Sequence, residues 1–125
     1  MKFAYTGIEV RDLDRSIVFY TEGLGMVLQG RFKIAATEGE NADLRTKGSE
    51  QVLELNWYPE RRYRAGSELD HLAFDVEAEE VDAVVTRLER LGAKRARPTD
   101  RQPAYDLAFV KDPDGIWIEL FKSKK

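Results

Sequence analysis

The chain has 125 residues, a net charge of −3 and no cysteine. That is one domain's worth of chain, long enough to build its own core without staples. Disulfides, iron–sulfur clusters, zinc-finger cysteines and thiol nucleophiles are excluded, and the pI near 5.3 argues against a broad nucleic-acid-binding face. No apolar run approaches the ~20 residues of a membrane span. Met1 to Tyr5 runs straight into a strand pattern with no signal peptide, so the expected location is the cytoplasm.

In chain order, Tyr5 to Val10 reads as a strand, and Asp12 or Asp14 is placed to cap a helix. Leu13, Ile17, Tyr20 and Leu24 recur at helical spacing, and Gly23 and Gly25 stop that helix. Extended segments follow at Met26–Ala35, about Asn41–Thr46 and Gln51–Trp57. A polar linker over residues 58–68 separates this module, about 1–57, from a second over about 69–125. There His71–Val76 reads as a strand, and Val81, Val84, Val85, Leu88 and Leu91 line a helix that Gly92 stops. Lys94–Arg97, Tyr105–Val110 and Ile116–Phe121 are the extended segments of this half. Each half is β-α-β-β-β, and the pattern predicts an α+β fold of two such modules in one domain, with mixed sheets curving into an open cup.

The halves match in register. Tyr5, Ile8 and Val10 correspond to His71, Phe74 and Val76, and Val52-Leu53-Glu54-Leu55 corresponds to Trp117-Ile118-Glu119-Leu120. Alternation along strands puts Leu53, Leu55, Ile118 and Leu120 on helix-packed faces. Tyr5, Glu54, His71 and Glu119 then share the opposite face. Two carboxylates and the chain's one imidazole, each flanked by apolar residues, suggest a metal site, because such groups are costly to bury unless paired or bound to a cation. A divalent ion also removes the repulsion between close carboxylates. Zinc, nickel, cobalt, manganese and iron all suit such donors.

Thr6-Gly7-Ile8-Glu9-Val10-Arg11-Asp12-Leu13, Phe19-Tyr20-Thr21-Glu22-Gly23-Leu24-Gly25-Met26, Leu69-Asp70-His71-Leu72-Ala73-Phe74 and Asp112-Pro113-Asp114-Gly115-Ile116-Trp117-Ile118-Glu119-Leu120 together resemble the vicinal oxygen chelate superfamily, which contains glyoxalase I. The resemblance implies a homodimer, often with ligands drawn from both chains, and a metal-dependent lyase or isomerase acting on a small oxygenated substrate. It carries the metal ligands over to Glu54, His71 and Glu119, with nickel, zinc, cobalt or manganese as the ion. The metal would chelate vicinal oxygens as a Lewis acid and stabilise an enediolate-like intermediate. Glu119 or Glu54 would move the proton beside the carbonyl.

Two positions depart from the family pattern. Tyr5 stands where the first histidine ligand belongs, and its phenol is expected to hydrogen-bond a bound water or substrate. Glu9 stands where glutathione-dependent members often carry an arginine, so glutathione is not the expected thiol. The resemblance also admits a non-enzymatic binding protein. A ring-cleaving dioxygenase needs two histidines and one carboxylate, and one copy of each module supplies only His71. Arg61, Arg62 and Arg64 are read as a solvated linker that an anionic substrate could also use. Asp112 to Gly115 is read as a turn with no chemical role, and Lys122, Lys124 and Lys125 as a solubilising tail.

Overall fold

Strand β1 (Thr6–Glu9) opens the first half, followed by helix α1 (Leu13–Val18), a π-helical turn (Phe19–Gly23), β2 (Val27–Ile34), β3 (Gly39–Arg45) and β4 (Leu53–Trp57). The second half has β5 (Leu72–Asp75), α2 (Val81–Arg90), β6 (Lys94–Arg95), β7 (Asp100–Arg101), β8 (Tyr105–Lys111) and β9 (Trp117–Ser123). This computed structural model describes residues 1–61 and 63–124, so the candidate Arg62 and the tail residue Lys125 lie outside the described residues. The chain divides into two compact units, Met1–Arg64 and Ala65–Lys125.

Unit 1 is a four-stranded sheet ordered β1-β4-β3-β2, in which only β1 and β4 run parallel. Unit 2 repeats it as β5-β9-β8-β6, with β7 added on β8 and β5 parallel to β9. Both sheets are mixed and each carries a helix, so the fold is the expected α+β duplication. The registers agree residue for residue: Gly7 faces Glu54 across β1/β4, and Ala73 faces Glu119 across β5/β9. The short β7 has no counterpart in the expected pattern, since its two residues are too few to show alternation.

Asp12 caps α1, its carboxylate accepting the Arg15 N–H at 3.0 Å. Asp14 points away and pairs with Arg31 at 2.5 Å. The expected single helix to Leu24 instead widens after Val18 into the π turn. The Thr21 hydroxyl donates to the Ile17 carbonyl at 2.7 Å and competes with the backbone ladder there. The wider turn carries the adjacent rings of Phe19 and Tyr20 both into the core, packed edge to face with centroids 5.1 Å apart. Phe19 therefore joins the core stripe and Ile17 is only half-buried, a reversal of the simple helical count.

Ile8, Val10, Leu13, Ala42, Leu44, Leu53 and Leu55 complete the core of unit 1. In unit 2, Val81, Val84, Val85 and Leu88 of α2 pack with Val110, Ile118 and Leu120, as the pattern predicts. The Asp112 carboxylate accepts the N–H groups of Asp114 and Ile116 at 2.9 and 2.8 Å. Gly115, at φ 92°, closes that turn in a conformation that suits glycine. This buried turn sets the start of β9 and hence the place of Glu119. No helix among the described residues is long and apolar enough to cross a membrane.

Candidate functional site

Glu54 sits on β4 between the buried Leu53 and Leu55, and Glu119 on β9 between the buried Ile118 and Leu120. Alternation therefore turns both carboxylates away from the helices. His71 immediately precedes β5, and its Nε2 lies 3.1 Å from Glu119 Oε2. Its Nδ1 lies 2.6 Å from Asp70 Oδ2. Each ring nitrogen thus faces a carboxylate oxygen, which only accepts, and a neutral imidazole has one N–H to offer the two of them. A carboxylate behind an imidazole is also the arrangement that orients metal-binding histidines. Phe109, directly across from Glu119 in the β8/β9 register, meets the His71 ring edge-on at 5.7 Å between centroids.

In unit 1 the same face carries Glu54, with Asp43 directly across from it on β3 and Asn41 facing Asn56 one step along. Burial pushes the Glu54 carboxyl above its ordinary range, and the negative charge of Asp43 adds to this. Hydrogen bonds from the Asn56 and Asn41 amides oppose it. The Oδ1 atoms of Asn41 and Asp43 are shut off from solvent without a hydrogen-bond partner. Gly7 packs closely under these side chains: a Cβ there would lie 3.2 Å from Asn56 Nδ2 and 3.9 Å from Glu54 Oε1.

Tyr5 occupies the position that corresponds to His71, but it is 52% exposed and no hydrogen bond joins it to Glu54 among the described residues. Glu9 is not a bare anion. Arg61 pairs with it at 3.2 Å and stacks on Tyr58 at 3.9 Å while its side chain stays 60% exposed. The lysine tail is anchored: Lys122 pairs with Glu80, and Lys124 with Asp106 at 2.7 Å.

Three residues of these faces escape the sequence reading. Asn41 and Asp43 alternate with the apolar Ala42 and Leu44, a pattern that could have flagged them. Arg97 lies 4.4 Å over the Phe109 ring with no carboxylate paired to it among the described residues. Its only mark in the sequence is the following Pro98, which ends the strand.

Among the described residues no three His, Asp or Glu side chains converge on one point; the donors come as the pairs His71–Glu119 and Asp43–Glu54. Imidazole nitrogen and carboxylate oxygen are donor types that suit a divalent cation, and each unit presents one such pair.

Residues 2–120 match the Glyoxalase/Bleomycin resistance protein/Dioxygenase superfamily. The chain belongs to this superfamily. Its relatives include a lactoylglutathione lyase of Pseudomonas aeruginosa, 35% identical over 97% of this chain and 82% of the relative. A lactoylglutathione lyase of Neisseria meningitidis is 33% identical over 99% and 92%. Among solved structures, the trypanothione-dependent glyoxalase I of Leishmania major superposes with a TM-score of 0.80 at 32% identity, covering 98% of this chain and 86% of that one. Glyoxalase I of Zea mays superposes at 0.82 and 27% identity, covering 99% of this chain and 45% of its own.

Proposed function

We propose that this superfamily member is a metal-dependent lyase or isomerase of the glyoxalase I type, acting on a small oxygenated substrate. The observation that carries the reading is the His71–Glu119 pair at 3.1 Å, with Asp70 behind the imidazole. His71 and Glu119 are the ligands presented by unit 2, and Glu54 is the ligand presented by unit 1. Relatives that are lactoylglutathione lyases support the same class of chemistry.

A divalent ion held by these residues supplies Lewis-acid polarisation of the substrate's adjacent oxygens. His71 stays a ligand and fixes geometry, its ring held by Asp70 and walled by Phe109. Glu119 or Glu54 takes the proton from the carbon beside the carbonyl and returns it to the neighbouring carbon. Burial holds the Glu54 carboxyl above its ordinary range, which suits a group that takes up a proton. Arg97 presents a cation beside Phe109 and suits a substrate bearing a negative charge. At position 9 a thiol carboxylate meets the Glu9–Arg61 ion pair instead of a free arginine, so glutathione adducts are poor substrates in this reading.

A dimer completes the proposal. The edge strand β2 exposes Val27, Leu28 and Phe32, apolar surface that a second copy suits. The test is metal analysis of the purified protein followed by kinetics on α-ketoaldehyde adducts of several thiols. Turnover that survives complete chelation, or that persists in His71→Ala, overturns the mechanism. Efficient turnover of the glutathione adduct, near ~10⁴–10⁸ M⁻¹s⁻¹ in kcat/KM, overturns the thiol assignment.

A further inference from the structure

A row of cations on unit 2 has no acids to pair with. Lys94, Arg97 and Lys111 are exposed, and no carboxylate pairs with any of them among the described residues. Arg87, Arg95, Arg101, Lys122 and Lys124 of the same unit, by contrast, each meet a carboxylate. Lys94 and Lys111 also stand directly opposite each other in the β6/β8 register, a like-charge placement that costs stability.

These cations frame two aromatic rings. Trp117 is directly across from Lys111 in the β8/β9 register, and the Lys111 ammonium lies 5.1 Å from the centre of its ring. Trp117 and Phe109 meet edge to face at 5.9 Å, and the Arg97 guanidinium lies 4.4 Å over Phe109. A bulge puts Arg97 there. Ala96 donates its N–H to the Phe109 carbonyl at 2.9 Å and Asp100 pairs with Leu107, so Arg97, Pro98 and Thr99 together stand opposite Ala108 alone. Thr99 turns to α2, its hydroxyl donating to Asp82 Oδ1 at 2.6 Å, while Arg97 turns to the ring.

We infer that this row is a subsite for a phosphate-bearing planar group, which makes the substrate an organic phosphate with a ring at its far end. As substrate specificity this rests on the lyase or isomerase reading above; the binding itself does not. Charge and shape carry it. A phosphate brings a charge of about −1.5 to −2 at pH 7, which suits three neighbouring cations better than a single carboxylate does. Trp117, 38% exposed, offers a surface on which a ring can stack. Phe109 joins the row to the reactive pair, because its ring also meets His71 edge-on at 5.7 Å. All of these residues lie in unit 2.

The experiment is titration of the whole protein, in chelator, with adenosine monophosphate and phenyl phosphate, against adenosine and inorganic phosphate. Trp57 and Trp117 are the chain's two tryptophans, so Trp57→Phe is the background in which fluorescence reads Trp117 alone. At least one of the two ring phosphates should quench Trp117 and bind at least about tenfold more tightly than adenosine or inorganic phosphate. The tighter of the two tells a nucleotide from an aryl phosphate. Arg97→Gln and Lys111→Gln should each weaken that binding about tenfold, Lys111→Arg should retain it, and added salt should weaken it. The melting temperature of Lys111→Gln should hold or rise as the contact with Lys94 is relieved. Adenosine binding as tightly as its phosphate, or unchanged affinity in both glutamine variants, overturns the inference. Phosphate binding without turnover of any α-ketoaldehyde adduct leaves the subsite standing and overturns the lyase reading. Turnover of an uncharged thiol adduct with no binding of either ring phosphate overturns the subsite and leaves that reading intact.

Discussion

Tyr5→His probes the site most directly, because the duplication says where the new side chain points. Thr6 pairs with Leu53 as Leu72 pairs with Ile118, so position 5 stands to Glu54 as His71 stands to Glu119. His71 brings Nε2 within 3.1 Å of its glutamate, and an imidazole at position 5 should approach Glu54 similarly. Loss of a partner one shell removed from a metal costs about 10–100-fold in affinity. A directly bound nitrogen should contribute at least about tenfold, or about 1.4 kcal/mol. Folding should barely register the change. Tyr5 is 52% exposed, and substitutions at such surface positions stay within about ±0.5 kcal/mol. Competition titrations against a chromophoric chelator should show the larger gain for zinc and nickel and the smaller for manganese. Affinities for all three ions unchanged within about twofold, with the fold intact, would refute the register argument.

Glu54→Gln should raise the melting temperature of the metal-free protein at pH 7, with the gain fading toward pH 4 in a pH series of melts. Burial holds the folded carboxyl above its ordinary value of 4.5, so the folded state binds that proton more tightly than the unfolded chain. The group's contribution to stability is full below the unfolded value and is lost as pH rises through the higher folded value. A gain that grows on acidification contradicts this. Leu55→Ala should cost ~2–5 kcal/mol in urea unfolding, because Leu55 is fully enclosed on the helix face of β4. Asp112→Ala should cost about 1–3 kcal/mol by stranding the N–H groups of Asp114 and Ile116, and should weaken metal binding because that turn sets the start of β9; unfolding and metal titrations read both.

Much of the fold is written locally. Alternation in Leu53–Leu55 and Ile118–Leu120 reveals which faces are buried, and so which way Glu54 and Glu119 turn, because side-chain period in a strand does not depend on neighbours. The repeat makes Tyr5 and His71, and Glu54 and Glu119, equivalent without any coordinates, since two copies of one βαβββ unit fold by one pattern. Partnerships are another matter. Asp12 caps α1 from just before the helix, and Asp14, inside it, meets Arg31 from β2, a partner the sequence does not reveal. Glu9 reads as a lone anion until Arg61, far along the chain, pairs with it. The π turn that buries both Phe19 and Tyr20 needs the core to receive two neighbouring rings, which a count of helical spacing does not represent. Asp43 shows the difference most plainly. Its alternation with Ala42 and Leu44 is visible in the sequence, but its place beside Glu54 is set by the β3/β4 register, a relation between strands that only tertiary packing decides.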